Sequence, residues 1–139
     1  MRLLKFATLL FVVCVLASSG VAFAGDKDPL FVSMTTDDVY RSELAIKVSK
    51  HMFERGHPLT IFFSDRGILV TSRMNADKFK EQQAMLSELA KAGATLIACP
   101  ICMKHYDIKE SDLLDGIKVG NPQLTSDALF RDNTKTLAW

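Results

Sequence analysis

The sequence has little cysteine, histidine or tryptophan, with three, three and one respectively in 139 residues, and almost no surplus charge, at a formal net +1. Without a basic stripe interleaved with aromatics, nucleic acid is not an expected partner. No internal repeat, low-complexity stretch or interior linker breaks the chain. Beyond the amino-terminal residues, no apolar run is long enough to span a bilayer. The scarcity of cysteine and histidine also weighs against a structural zinc site, because strong zinc patterns pair C-x-x-C with a second, distant ligand pair. His51 and His57 are not in a ligand spacing.

What is present begins with an address. Arg2 and Lys5 precede an uncharged apolar run over residues 6–16, and Ala22 and Ala24 form a small-x-small pattern before Gly25. Residues 1–24 are therefore expected to be a cleaved secretory signal, with the protein periplasmic or secreted and no stable membrane anchor after cleavage. Cys14 lies inside the apolar run and leaves with the signal. Residues 25–139 are enough for a single domain with its own core and too few for two.

Hydrophobic patterning along this domain alternates between strand and helix. Residues 29–34 (PLFVSM) suit a buried strand, and TTDD offers a helix N-cap with acids in the first turn. Over residues 38–55 the apolar positions Val39, Leu44, Ala45, Val48, Met52 and Phe53 recur near helical spacing, and Gly56 closes the helix. PLTIFFS (58–64) is a second strand and DRG a turn, while ILVTS is either a short strand or an apolar loop. Asn75 is expected to cap a helix with the stripe Phe79, Met85, Leu86 and Leu89, ended by Gly93. TLIA (95–98) is the third strand, Pro100 opens a short helix, SDLL is a turn, and GIKV a fourth strand. Asn121 and Pro122 cap and open a last helix, and TKTLAW ends the chain as a fifth strand. Such alternation predicts an α/β fold, a three-layer α/β/α sandwich around a mainly parallel five-stranded sheet.

Open parallel sheets place their sites outside the carboxyl ends of the strands. The loops starting at Met34, Ser64, Cys99 and Gly120 are then the candidates, and one of them carries Cys99 and Cys102. A disulfide closing so short a loop gains little through chain entropy, so chemistry explains the pair better than stapling does. Cys99 falls at the N-cap of the helix opened by Pro100, where free N–H groups and the positive end of the helix dipole favour a thiolate. Cys102, one turn on, is placed as a resolving thiol. Four readings remain open: sulfur carriage as a persulfide on one exposed, activated cysteine; dithiol exchange using both; a metal site from Cys99, Cys102, Met103 and His105; or an incidental disulfide in a binding module.

The segment from Ala98 to Trp139, with CPIC followed at a fixed distance by Ile108, then DLLDGIKVGNP and TKTLAW, resembles the DsrE-like family of sulfur-relay proteins, over essentially all of residues 25–139. The resemblance implies a five-stranded parallel sheet in an α/β/α domain and assembly as a homotrimer or homohexamer; no cofactor is expected. It also implies that Cys99 carries persulfide sulfur between donor and acceptor proteins or small sulfur compounds. Cys102 corresponds to a second cysteine found only in some relatives.

Other residues on the expected edge have a simpler reading beside the functional one. Arg66, Lys104 and His105 are candidates for stabilising a thiolate or a sulfur oxyanion, although exposed basic residues are usually solvated. Thr35, Thr36 and Asp37 read first as helix caps, Asn121 and Pro122 likewise, and Trp139 as core or interface. The cluster Phe62, Phe63, Ile68, Leu69 and Val70 is more apolar than a small monomer needs around a turn.

Overall fold

The computed structural model describes residues 27–139; the expected signal, residues 1–24, lies outside them. Five strands, β1 (Leu30–Met34), β2 (Leu59–Phe63), β3 (Thr95–Ala98), β4 (Ile117–Val119) and β5 (Lys135–Ala138), form one sheet in the order β4-β3-β2-β1-β5. Every neighbouring pair is parallel, with Met34 level with Phe63, Phe63 with Ala98 and Ala98 with Val119. The carboxyl ends of the strands therefore share one edge. Four helices connect them, α1 (Val39–Glu54), α2 (Lys80–Lys91), α3 (Pro100–His105) and α4 (Pro122–Leu129).

Alternation along the strands sends Val32, Met34, Ile61, Phe63, Leu96 and Ala98 into one core, where they meet Ala45 and Ile46 of α1 and Leu86 and Leu89 of α2. These side chains are buried to near zero exposure, so hydrophobic burial fixes which face each strand presents. The opposite face is covered more lightly. Phe31 stacks on Phe62 there, with ring centroids 6.3 Å apart, and α4 lies across it leaving a groove of about 420 Å³. No residue of α4 is buried.

The helix starts follow from their caps. Asp38 accepts from the Arg41 N–H at 2.8 Å to open α1, and Asn121 accepts from the Leu124 N–H at 2.8 Å ahead of Pro122. The first turn of α1 holds no acid; Asp38 is the cap itself, and Asp37 stands before it. Gly56 closes α1 with φ +97.

The segment after β2 departs from expectation. ILVTS is neither strand nor open loop: Asp65–Thr71 is a 3₁₀ helix, followed by a second one at Arg73–Asn75. The reason is a close approach at Gly67, where a Cβ would stand 2.2 Å from the Met34 carbonyl oxygen. Gly67 donates its N–H to Thr35 O at 3.1 Å and Ser64 donates to Met34 O at 2.9 Å, which curls the chain back over the end of β1. Asn75 does not cap α2, which starts at Lys80 after Phe79. Its side-chain amide donates instead to Leu69 O at 2.9 Å and holds the two 3₁₀ turns together. Ile68, Val70 and Phe79 are buried in the same core.

Candidate functional site

β3 delivers Cys99 to the carboxyl edge. The Cys99 N–H donates to Phe63 O at 2.9 Å, extending the β2–β3 ladder by one bond, and the chain then turns into α3 at Pro100. Cys99 keeps an extended backbone, φ −69 and ψ 115, and its Sγ accepts from the Cys102 N–H at 3.3 Å. This is N-cap geometry with sulfur in the place of the usual oxygen. Gly120, at the end of β4, donates to Ala98 O at 2.8 Å, and a Cβ there would stand 3.0 Å from Ile97 and 3.6 Å from the Pro100 ring. A bulkier residue would push into the turn that carries Cys99.

The two thiols are free and adjacent, with the Cys102 thiol donating to Cys99 Sγ across 2.6 Å. Cys102 Sγ also accepts the peptide N–H of Asp65 at 3.2 Å. Burial, and then the hydrogen bond to Cys99, push the Cys102 thiol above its ordinary range, while the Asp65 N–H pulls the other way. Cys102 therefore holds its proton more firmly than an ordinary cysteine thiol. Sulfur carriage was expected to use an exposed cysteine, yet Cys99 is 9% exposed and Cys102 is the more open of the pair. Placement just past the carboxyl end of an interior strand, with α3 and the loop after β2 around it, accounts for the burial.

Asp65 and Tyr106 complete the thiol site. Asp65 has φ +46, a left-handed conformation that costs most side chains roughly 1–2 kcal/mol and that Asp tolerates better than most. Its carboxylate accepts from the Tyr106 hydroxyl at 3.1 Å, tying the C-terminal cap of α3 to the loop after β2. Burial, followed by that bond, raises the Tyr106 phenol above its usual value.

Arg66 turns to Asp37 rather than to sulfur, through two bonds of 2.7 and 2.8 Å, and Lys78 joins the same carboxylate at 3.1 Å. The Arg66 guanidinium, with Lys78, holds the Asp37 carboxyl well below the usual range. Lys104 and His105 are exposed on α3, and His105 sets its ring edge against Tyr106 at 4.7 Å between centroids. Met103 is buried in the core, which withdraws it from the metal set considered with Cys99, Cys102 and His105. Among the described residues no three His, Cys, Asp or Glu side chains are arranged to hold a metal ion. Thr36 Oγ1 accepts from Asp38 N–H, and Thr35 donates from both its N–H and its hydroxyl to Trp139 O. Trp139 packs against the core. A groove of about 610 Å³ opens at the amino ends of β1, β2 and β3, beside His57, Thr60 and Thr95. It lies on the edge opposite the thiols, and neither cysteine lines it.

Sequence reading passed over Asp65 and Tyr106, and took Asp37 for a cap. The partner of Asp65 is 37 residues away and that of Arg66 is 29, so no local spacing announces either. An acidic residue directly ahead of Arg-Gly at a turn was the one visible hint.

A model of the DsrE/DsrF-like family matches residues 29–132. The chain belongs to the DsrE/DsrF-like family. This family is generally linked to sulfur relay. Among solved structures, the chain is similar to a protein of unknown function, MTH1491, from Methanobacterium thermoautotrophicum, with a TM-score of 0.68 and 17% identity over 81% of this chain and 100% of that one. It is similar also to the ychN protein from E. coli, with a TM-score of 0.66 and 15% identity over 81% of this chain and 99% of that one. At such identities the likeness is one of fold. No curated protein matches the chain. As a DsrE/DsrF-like protein it has the parallel five-stranded α/β sheet that its strand–helix alternation predicts.

Proposed function

We propose that this DsrE/DsrF-like protein is an exported sulfur carrier that holds sulfane sulfur as a persulfide on Cys99, with Cys102 as the resolving thiol. The observation that carries the reading is the division of roles within the pair. Cys99 Sγ accepts two hydrogen bonds, from the Cys102 N–H and the Cys102 thiol, and Cys102 supplies both. Cys99 Sγ is thus the accepting sulfur of the pair, and the raised Cys102 thiol keeps its proton until it resolves.

Loading takes a donor persulfide R–S–S⁻. The Cys99 thiolate attacks its outer sulfur, the donor S–S bond breaks, R–S⁻ leaves, and Cys99 holds a terminal sulfur. Transfer repeats the step, with an acceptor thiolate attacking that sulfur and Cys99 leaving as thiolate. If no acceptor arrives, Cys102 attacks the inner sulfur. A Cys99–Cys102 bond forms, the bond to the outer sulfur breaks, and HS⁻ departs with the proton Cys102 held. A thiol reductant then resets the pair. With so little of Cys99 in solvent, exchange favours small sulfur compounds or a protein partner that seats on this edge. Export rests on the pattern in residues 1–24, and homotrimeric or homohexameric assembly suits the exposed Ile101 and Phe130.

The adjacency of the sulfurs equally favours a second reading, a dithiol redox protein. Sulfide release separates the two. After exposure to a persulfide donor and its removal, the carrier yields one sulfide per Cys99–Cys102 disulfide formed, and Cys102→Ala retains its sulfur. A redox protein forms the disulfide without releasing bound sulfur, and that outcome would replace the first reading by the second.

A further inference from the structure

The loop after β2 reaches the cysteine pair through Asp65, a residue with no part in the sulfur transfer steps above. We propose that the Asp65 turn, with Tyr106, is a positioning device for the resolving thiol: its peptide N–H holds Cys102 Sγ beside Cys99, while the Asp65 carboxylate and the Tyr106 hydroxyl tune in opposite directions how readily that thiol gives up its proton. The inference rests on the reading of Cys102 as the resolving thiol.

Cys102 Sγ makes two contacts of opposite sense, accepting from the Asp65 N–H at 3.2 Å and donating its own proton to Cys99. Together they hold Cys102 Sγ against Cys99 Sγ, the sulfur with which the new S–S bond would form. The donor amide cannot drift. Ser64 on one side is bonded to Met34 O, Gly67 on the other to Ser64 O and Thr35 O, and Arg66 between them is bonded twice to Asp37. A left-handed backbone at a non-glycine residue persists where surrounding contacts over-determine it, as they do here.

The titratable and charged groups around Cys102 are Cys99 from the end of β3, Asp65 and Arg66 from the loop, and Tyr106 from α3, with His105 behind Tyr106. Arg66 is committed to Asp37. The Asp65 carboxylate repels negative charge on Cys102, and the Tyr106 hydroxyl draws part of that carboxylate's charge away by donating to it. Carboxylate and hydroxyl therefore act on the thiol in opposite directions. A purely structural clasp has no such signature, because loosening it from either end opens the site to water and moves Cys102 the same way.

The test is the pH profile of alkylation of Cys102 by iodoacetamide in the full chain carrying Cys99→Ser, followed by mass on the peptide that contains Cys102. Asp65→Asn removes the charge yet suits the left-handed backbone, so the peptide N–H stays in place. It should shift the profile to lower pH and speed alkylation at least roughly threefold at a pH below the midpoint. Tyr106→Phe should shift it to higher pH and slow the reaction by roughly half. Shifts of the two variants in the same direction, or no shift in either, would overturn the proposal. Should Asp65→Asn fail to fold, Tyr106→Phe decides alone, since an unchanged or lowered midpoint contradicts the proposal. No sulfur donor is used, so failure here leaves persulfide carriage by Cys99 standing, and failure of Cys99 to load leaves the alkylation profiles unaffected.

Discussion

At the scale of single residues, the thiol site joins two cysteines set by local chain geometry to side chains brought from distant segments. The spacing of Cys99, Pro100 and Cys102 implies a cap, a first helical position and a thiol one turn on, because all three are consequences of local chain geometry. Asp65, Tyr106 and Asp37 act through contacts made only when distant segments meet. Asp37 shows what such a contact does. Its carboxyl is held below the ordinary value by Arg66 and Lys78, so the stability it adds is fully present above the unfolded carboxylate range, about pH 4. That stability is lost as pH falls toward the depressed folded value. Asp37→Asn should accordingly lower the urea midpoint by a constant amount above about pH 5, and the gap to wild type should close as pH drops below about 4. A gap that stays constant into acid would show that the carboxylate's charge is not what Arg66 and Lys78 respond to.

At the scale of elements, β3, α3, β4 and α4 stand where periodicity and caps put them, because each is bounded by a residue whose preference is local: Gly93, Pro100, Gly116 and Asn121. The segment between β2 and α2 was illegible for a physical reason. Its apolar run reads as either a short strand or a loop, but the approach of Gly67 to the Met34 carbonyl leaves no room for extended chain. Gly67→Ala should then cost about 1–3 kcal/mol, as overpacking against a fixed backbone does, and urea denaturation would measure it. A neutral substitution would mean that the 3₁₀ turn is not held by this approach. The same turn presents Asp65 to Cys102, so one glycine links core packing to the thiol site.

At the scale of the whole molecule, the parallel sheet sorts its tasks by edge. All five strands point their carboxyl ends the same way, so β2 and β3 bring the Asp65 turn and Cys99 side by side without a dedicated domain. α1 and α2 seal one face, and α4 covers the other only in part. The DsrE/DsrF-like fold thus supplies a rigid edge, and Cys99 and Cys102 supply the chemistry proposed for it. Intact mass after treatment with a persulfide donor under non-reducing conditions tests that proposal most directly. Wild type and Cys102→Ala should gain the mass of one sulfur atom, with the gain outlasting removal of the donor only in Cys102→Ala, and Cys99→Ala should gain none. Equal gain by Cys99→Ala, or no gain by any of the three, would contradict sulfur carriage on Cys99.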